Sequence, residues 1–151
     1  MIGLLPGVKL INHLKHEDER GNFCELWKSS NDNMRGAFRQ VNIATSNYNV
    51  LRGMHRQNQS KLVMPIVGEI FDVALDPQTG DWCGIKLDKD TALFIPPYYA
   101  HGYLVLSEYS IVQYVVDSPY NKSEEENFKW NNYGIDWPET NFPPFLSAKD
   151  Q

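Results

Sequence analysis

Chemistry in this sequence rests on two histidines, a tyrosine and a lysine whose neighbours are unusual. His55 and His101 sit in compact motifs, Leu51-Arg52-Gly53-Met54-His55-Arg56-Gln57 and Pro96-Pro97-Tyr98-Tyr99-Ala100-His101-Gly102. His13 and His16 lie in a polar stretch and read as surface residues. Metal-binding jelly rolls often present His-x-His, then a Glu, then a distant His. Here the position two after His55 is Gln57, and Lys61 stands where the Glu would follow. An amide is a poor ligand for zinc or iron, and a lysine has the wrong charge for a cation site. The pattern therefore predicts a site without metal, in which His55 is free to move protons. Tyr114 lies in Ile111-Val112-Gln113-Tyr114-Val115-Val116, where alternation puts Val112, Tyr114 and Val116 on one strand face. It is either a core tyrosine or a phenol that donates a proton beside a histidine. Strict alternation from His55 puts Leu51 and Gly53 on its face and Arg52 on the other. Arg52 joins His55 only if Gly53 hosts a bulge or bend.

Positioning such groups requires a concave scaffold, and the pattern along the chain supplies one. Short β-rich runs are predicted at Lys61–Val67, Glu69–Ala74, Gly84–Leu87, Ala92–Ile95, Gly102–Leu106 and Ser110–Val116. Turn formers separate them, and Asp76–Asp81 reads as a hairpin loop. Only a helical turn or two is expected, near Ser123–Lys129. Many short, closely spaced strands predict an antiparallel sandwich or barrel such as a jelly roll, with a mouth where inward side chains converge. The Pro-rich stretch from Trp137 to Gln151, with Phe142, Phe145 and Leu146, reads as an ordered strap across that barrel.

The 151 residues suit one domain spanning 1–151, and hydrophobic and charged shares of 42% and 22% are ordinary for a globular chain. No apolar run approaches the roughly 20 residues of a membrane span, and the start is too short and Pro-broken for a secretory signal. Cys24 and Cys83 form no Cys-x-x-Cys and read as reduced cytoplasmic thiols. A net charge of −5 argues against a nucleic-acid partner. Yet Asn33 through Gly68 holds no acidic residue and carries Arg35, Arg39, Arg52, Arg56 and Lys61. That stretch is either a chance fluctuation on solvated faces or a local anion site suited to a phosphorylated small molecule.

Several separated motifs then agree in order. They include Asp18-Glu19-Arg20-Gly21-Asn22-Phe23 with Glu25, Gln40-Val41-Asn42, Leu51–His55 with Gln59-Ser60-Lys61-Leu62, and Gly68-Glu69-Ile70-Phe71-Asp72-Val73. Ala100-His101-Gly102-Tyr103, Tyr114, Tyr120, Trp130-Asn131, Gly134-Ile135-Asp136-Trp137-Pro138 and Leu146-Ser147-Ala148-Lys149-Asp150 follow. From about Asp18 to Asp150 the chain resembles the dTDP-4-dehydrorhamnose 3,5-epimerase family of nucleotide-sugar isomerases.

The resemblance implies an all-β, cupin-type jelly roll (a double-stranded β-helix), homodimeric, cytoplasmic and without metal or cofactor. Its substrate would be a nucleoside-diphosphate 4-keto-6-deoxy sugar of deoxysugar or polysaccharide biosynthesis. By position, the resemblance implies His55 as general base with Asp150 as dyad partner, Tyr114 as acid on the opposite sugar face, and Lys61 beside the keto oxygen. It likewise implies that Arg20, Glu25, Gln40, Asn42 and Arg52 bind nucleotide or sugar, Arg20 and Glu25 reaching the neighbouring subunit's site. His101 and Tyr120 match further pocket residues, and Asp72 a position behind the pocket. A carboxylate at Asp150 would fix the imidazole tautomer and favour the imidazolium. The sequence departs from the family in a shorter His55-to-Lys61 interval, a trimmed Asp76–Trp82 loop, Asn132 where Asp is usual and Glu126 where Gly is usual. A ketoisomerase of the same substrate class, and a non-catalytic sugar-nucleotide-binding cupin, stay open as alternatives. The latter would be expected to have lost His55, Tyr114 or Asp150, and all three are present.

Overall fold

The computed structural model describes residues 3–28 and 38–151. Arg35, one cation of the acid-free stretch, lies outside the described residues. Among the described residues there are twelve strands: β1 (Lys9–Asn12), β2 (Leu14–Asp18), β3 (Gly21–Glu25), β4 (Gln40–Asn47), β5 (Leu51–Arg56), β6 (Lys61–Val67), β7 (Ile70–Leu75), β8 (Trp82–Leu87), β9 (Thr91–Ile95), β10 (Ala100–Val105), β11 (Tyr109–Val116) and β12 (Glu126–Asn127). One five-stranded sheet runs β1-β9-β6-β11-β4, the other β12-β5-β10-β7-β8, and β2–β3 forms a separate hairpin. All ladders are antiparallel. This is the all-β jelly roll that the spacing of runs predicts.

Strands β6, β7, β9 and β10 are buried on both faces for most of their length, which is why they read as continuous apolar runs. Val63, Ile70, Leu87, Leu93, Ile95, Val105 and Val112 form the core between the sheets. Outside the first sheet, Leu62, Met64, Phe94 and Val115 are covered by Leu26, Trp27 and Phe38. Outside the second, Met54, Val73, Leu75 and Ala100 are covered by Phe128, Trp130, Tyr133 and Trp137. Burying a large apolar side chain contributes roughly 1.5–3 kcal/mol, so these outer layers fix the segments that follow β3 and β11. Trp137 is aimed by its indole N–H, which donates to Trp130 O at 3.0 Å.

The predicted strands between Lys61 and Val116 are all present with no end shifted by more than two residues, and Asp76–Asp81 closes the β7–β8 hairpin through Asp76 N–H to Asp81 O at 2.8 Å. The helical expectation at Ser123–Lys129 shrinks to one 3-10 turn, Lys122–Glu124, capped by the Asn121 side chain. The residues beyond it extend instead, because Phe128 and Met54 exchange backbone hydrogen bonds (2.9 and 3.3 Å) and draw β12 onto β5. The strap is anchored at its start by the packed Trp137 ring, but further along Phe142 and Phe145 are 69% and 73% exposed. There the backbone holds it. Phe145 N–H donates to Asn49 O at 2.8 Å, and Leu51 N–H to Phe145 O at 3.0 Å. Asn49 Nδ2 donates to Phe142 O and Pro143 O at 3.0 and 2.8 Å.

Candidate active site

Apolar side chains fill part of the space between the sheets, and beside them opens a cavity of about 900 Å³ lined mostly by polar residues. His55 and Arg52 enter it from β5, His101 and Tyr103 from β10, Lys61 from β6, Tyr114 from β11, and Gln40 and Asn42 from β4. The strap lays Lys149 and Asp150 across the mouth, near Tyr120 and Glu125. Nine of the eleven residues singled out in the sequence thus converge: Gln40, Asn42, Arg52, His55, Lys61, His101, Tyr114, Tyr120 and Asp150.

Arg52 reaches the cavity because β5 carries a bulge. His101 is paired with His55, but Tyr103 with Arg52, so β5 spends one more residue than β10 over this interval. Gly53, at φ +125°, accommodates it. The Arg52 guanidinium donates from Nε to Ser46 Oγ at 3.0 Å and from Nη2 to Thr45 O at 3.3 Å. Other N–H groups of its fork remain for an anion.

His55 is held between two partners. Its Nδ1 lies 2.6 Å from Asn127 Oδ1, and its Nε2 lies 3.0 Å from Asp150 Oδ1. Asp150 is buried and its Oδ2 accepts the Gly53 N–H at 3.3 Å. Burial pulls the His55 pKa below its ordinary value, against the opposing pull of the Asp150 charge and the Asn127 hydrogen bond. The ring is therefore predominantly neutral at pH 7. Burial also lowers Lys61, to about 8, with Asp72 and Glu125 opposing. Its ammonium remains mostly charged at pH 7, in surroundings where a charge acts strongly. Burial raises Tyr114, which keeps its phenol protonated. His101 Nε2 lies 2.6 Å from Asp72 Oδ1, and Asp72 is fully buried. The Gln40 amide is held locally: its Nε2 donates to Asn42 Oδ1 at 2.8 Å and its Oε1 accepts the Tyr120 N–H at 2.8 Å.

Arg20 and Glu25 do not join this cavity within the chain. Arg20 sits at the tip of the β2–β3 hairpin, its guanidinium 84% exposed and bound to Asp18. Glu25 lies 3.4 Å from Lys28 and lines a second hollow of about 470 Å³ with Trp27, Phe38 and Val115.

Three cavity-side residues were not legible. Glu125 accepts from Lys149 Nζ at 2.8 Å and Tyr120 Oη at 3.0 Å. Burial would raise its pKa, but those hydrogen bonds outweigh it and the net shift is downward. In sequence it is the middle of a Glu124-Glu125-Glu126 run, and nothing there marks which carboxylate turns inward. Lys149 directly precedes Asp150, and a lone lysine there carries no chemical signature of its own. Asn127 is legible only once β12 pairs with β5, Asn127 opposite His55.

Comparison with known proteins places the chain in a family. A model of the dTDP-4-dehydrorhamnose 3,5-epimerase family matches residues 4–151. The chain belongs to that family. The family is one of isomerases, and its fold is the cupin-type jelly roll described above. A dTDP-4-dehydrorhamnose 3,5-epimerase of Salmonella typhimurium strain LT2 is 39% identical over 163 residues, covering 97% of this chain and 88% of that protein. A dTDP-6-deoxy-D-glucose-3,5-epimerase of Legionella pneumophila Philadelphia 1, solved with dTDP-4-keto-L-rhamnose, superposes with a TM-score of 0.90 at 33% identity. It covers 97% of this chain and 86% of that one. A 3'-monoepimerase of Streptomyces bikiniensis, solved with dTDP-quinovose, gives 0.89 at 25% identity over 97% and 83%. Among the described residues no helix is long and apolar enough to cross a membrane.

Proposed function

We propose that this protein epimerises a nucleoside-diphosphate 4-keto-6-deoxyhexose, dTDP-4-keto-6-deoxyglucose, at the carbons flanking the C4 ketone. The observation that carries the proposal is the division of groups between the sheets. His55 enters the cavity from one sheet, Tyr114 and Lys61 from the other. Inversion needs a base on one face of the sugar and an acid on the opposite face.

His55 removes the proton next to the ketone. The electron pair of that C–H bond moves into the ring carbon–carbon bond, and the carbonyl pair moves onto O4. The Lys61 ammonium donates to this enolate oxygen. Asp150 steadies the imidazolium. Tyr114 delivers a proton to the opposite face of the carbon, and the C4 ketone returns. Solvent then restores the phenol and the neutral imidazole. The substrate's own ketone is the electron sink, so this chemistry uses no cofactor. Arg52, Gln40, Asn42, His101 and Tyr120 hold the nucleotide and sugar.

The enzyme acts as a homodimer in which the β2–β3 hairpin completes the neighbour's cavity with Arg20 and Glu25. Supporting this, β4 is an edge strand whose outward Val41 and Ile43 are 59% and 66% exposed, and Phe23 on the hairpin is exposed as well. The free thiols of Cys24 and Cys83 suit the cytoplasm, where nucleotide sugars for deoxysugar biosynthesis are made.

Proton NMR in deuterium oxide with dTDP-4-keto-6-deoxyglucose tests the reading. Deuterium is expected at C3 and C5. Deuterium at a single carbon would make the protein a monoepimerase, and no exchange by folded protein would overturn the proposal for this nucleotide.

A further inference from the structure

We propose that Asn127, not Asp150, sets the tautomer of His55, holding Nδ1 protonated so that the proton-accepting lone pair is on Nε2. The inference rests on His55 being the base, as argued above.

The argument is one of donors and acceptors. Asn127 Oδ1 stands 2.6 Å from Nδ1, and an amide oxygen only accepts. Nδ1 must therefore donate. A neutral imidazole carries one N–H, so Nε2 carries the lone pair. Asp150 Oδ1 is 3.0 Å from Nε2, yet it makes no hydrogen bond among the described residues. It stands beside the ring nitrogen, off the line of its lone pair. That line is left for the substrate's C–H. Once Nε2 has taken the proton, Asp150 is near enough to accept from it and to stabilise the cation.

Asn127 is placed by a built ladder. Met54 and Phe128 exchange both backbone hydrogen bonds, so the neighbouring His55–Asn127 pair is a non-hydrogen-bonded one, in which side chains approach most closely. Both flanks of Asn127 are anchored. Glu126 pairs with Arg56 at 2.7 Å, and Phe128 lies in the outer apolar layer with the Arg56 guanidinium 5.5 Å from its ring centre. The charged groups facing His55 are Asp150 and Lys149 from the strap and Glu125 from the segment before β12. Glu125 Oε1 is 3.9 Å from Nδ1 but is engaged by Lys149, as Oε2 is by Tyr120. The neutral amide is thus the hydrogen-bond acceptor at Nδ1.

Nitrogen NMR of the His55 imidazole in the unliganded protein reads the tautomer directly and needs no activity. The proton is expected on Nδ1 in the native protein. Asn127→Ala should mix the tautomers, lower kcat about tenfold to a hundredfold with KM little changed, and move the acid limb of the pH profile to lower pH. Asn127→Asp restores an acceptor, and should recover most of kcat while moving the acid limb to higher pH. A proton found on Nε2 in the native protein overturns the inference. So does an Asn127→Ala variant with native tautomer, kcat and pH profile. A native Nδ1–H tautomer in a protein that exchanges no substrate protons would leave the tautomer assignment standing and remove the proposed reaction instead.

Discussion

Arg52 and His55 are three residues apart on one strand and yet face the same cavity, because β5 gains a residue on β10 between them. Gly53 is the residue that permits this. A Cβ there would stand 2.5 Å from Gly102 Cα and 2.8 Å from His101 O, at a φ that disfavours any side chain. Neither neighbour is a flexible side-chain end. Gly53→Ala is therefore expected to destabilise the fold by roughly 2–4 kcal/mol in urea unfolding and to cut activity well beyond that loss, by parting Arg52 from His55. Native stability and activity in this variant would show that the bulge is not needed.

His55→Ala should abolish exchange of substrate protons with deuterium oxide, by a thousandfold or so, because no other neutral base of the cavity is placed on that sheet beside Asp150. Tyr114→Phe should lower epimerisation about a hundredfold and leave exchange on the His55 face. The two variants separate proton removal from proton delivery. Exchange surviving in His55→Ala would move the base elsewhere, and full epimerisation by Tyr114→Phe would require another acid.

How far these residues could be read from the sequence depended on which way their strands face. Strands β6 to β11 pack apolar side chains on one or both faces and gave clear runs. β4 inverts the usual pattern: Gln40 and Asn42 turn inward to the cavity while Val41 and Ile43 turn outward. An alternation of that sign does not announce a strand. β2 and β3 are largely exposed and lack a consistent apolar face. The resemblance named nine residues that the structure brings to one cavity, because motifs fix identity without needing the fold. Asn127 escaped it because its role exists only through strand pairing with His55.

The pH dependence should be bell-shaped. Burial lowers His55, so the neutral base persists to a pH below its ordinary value near 6.5. Lys61 titrates at about 8, so kcat/KM should fall as pH rises through that value and the enolate loses its cation. Stability should move the other way. Lys61 is lowered on folding, so between about 8 and its ordinary 10.5 the unfolded chain binds more protons, and stability rises with pH across that window. Below it the cost of the buried charge is fully present. Lys61→Met should therefore be inactive, more stable at pH 7 by roughly 1–3 kcal/mol, and should lose the rise between pH 8 and 10.5. Thermal melts across pH check both signs.

Shared sites give a test in trans. Arg20 does not line its own chain's cavity and sits at an exposed hairpin tip. Arg20→Ala and His55→Ala should each be poorly active alone. Mixed and reassociated, they should recover up to about a quarter of native activity, since half the dimers are hybrids with one intact site each. Absence of recovery in verified hybrid dimers would confine Arg20 to its own chain.

The strap should prove separable from the barrel. Residues 142–145, tied to Asn49, carry the segment that brings Asp150 to His55, and the rings of Phe142 and Phe145 add little, being exposed. Asn49 sits at φ 66°, so Asn49→Gly keeps the backbone conformation and deletes only the two side-chain hydrogen bonds. The expected cost is about 1–2 kcal/mol, felt locally. Limited proteolysis should cut the strap faster than in the native protein, and kcat should fall about tenfold as Asp150 loosens, while the barrel's circular dichroism and Tm change little. A strap that stays protected would mean that the Lys149–Glu125 ion pair and the Leu51–Phe145 backbone bond hold it unaided.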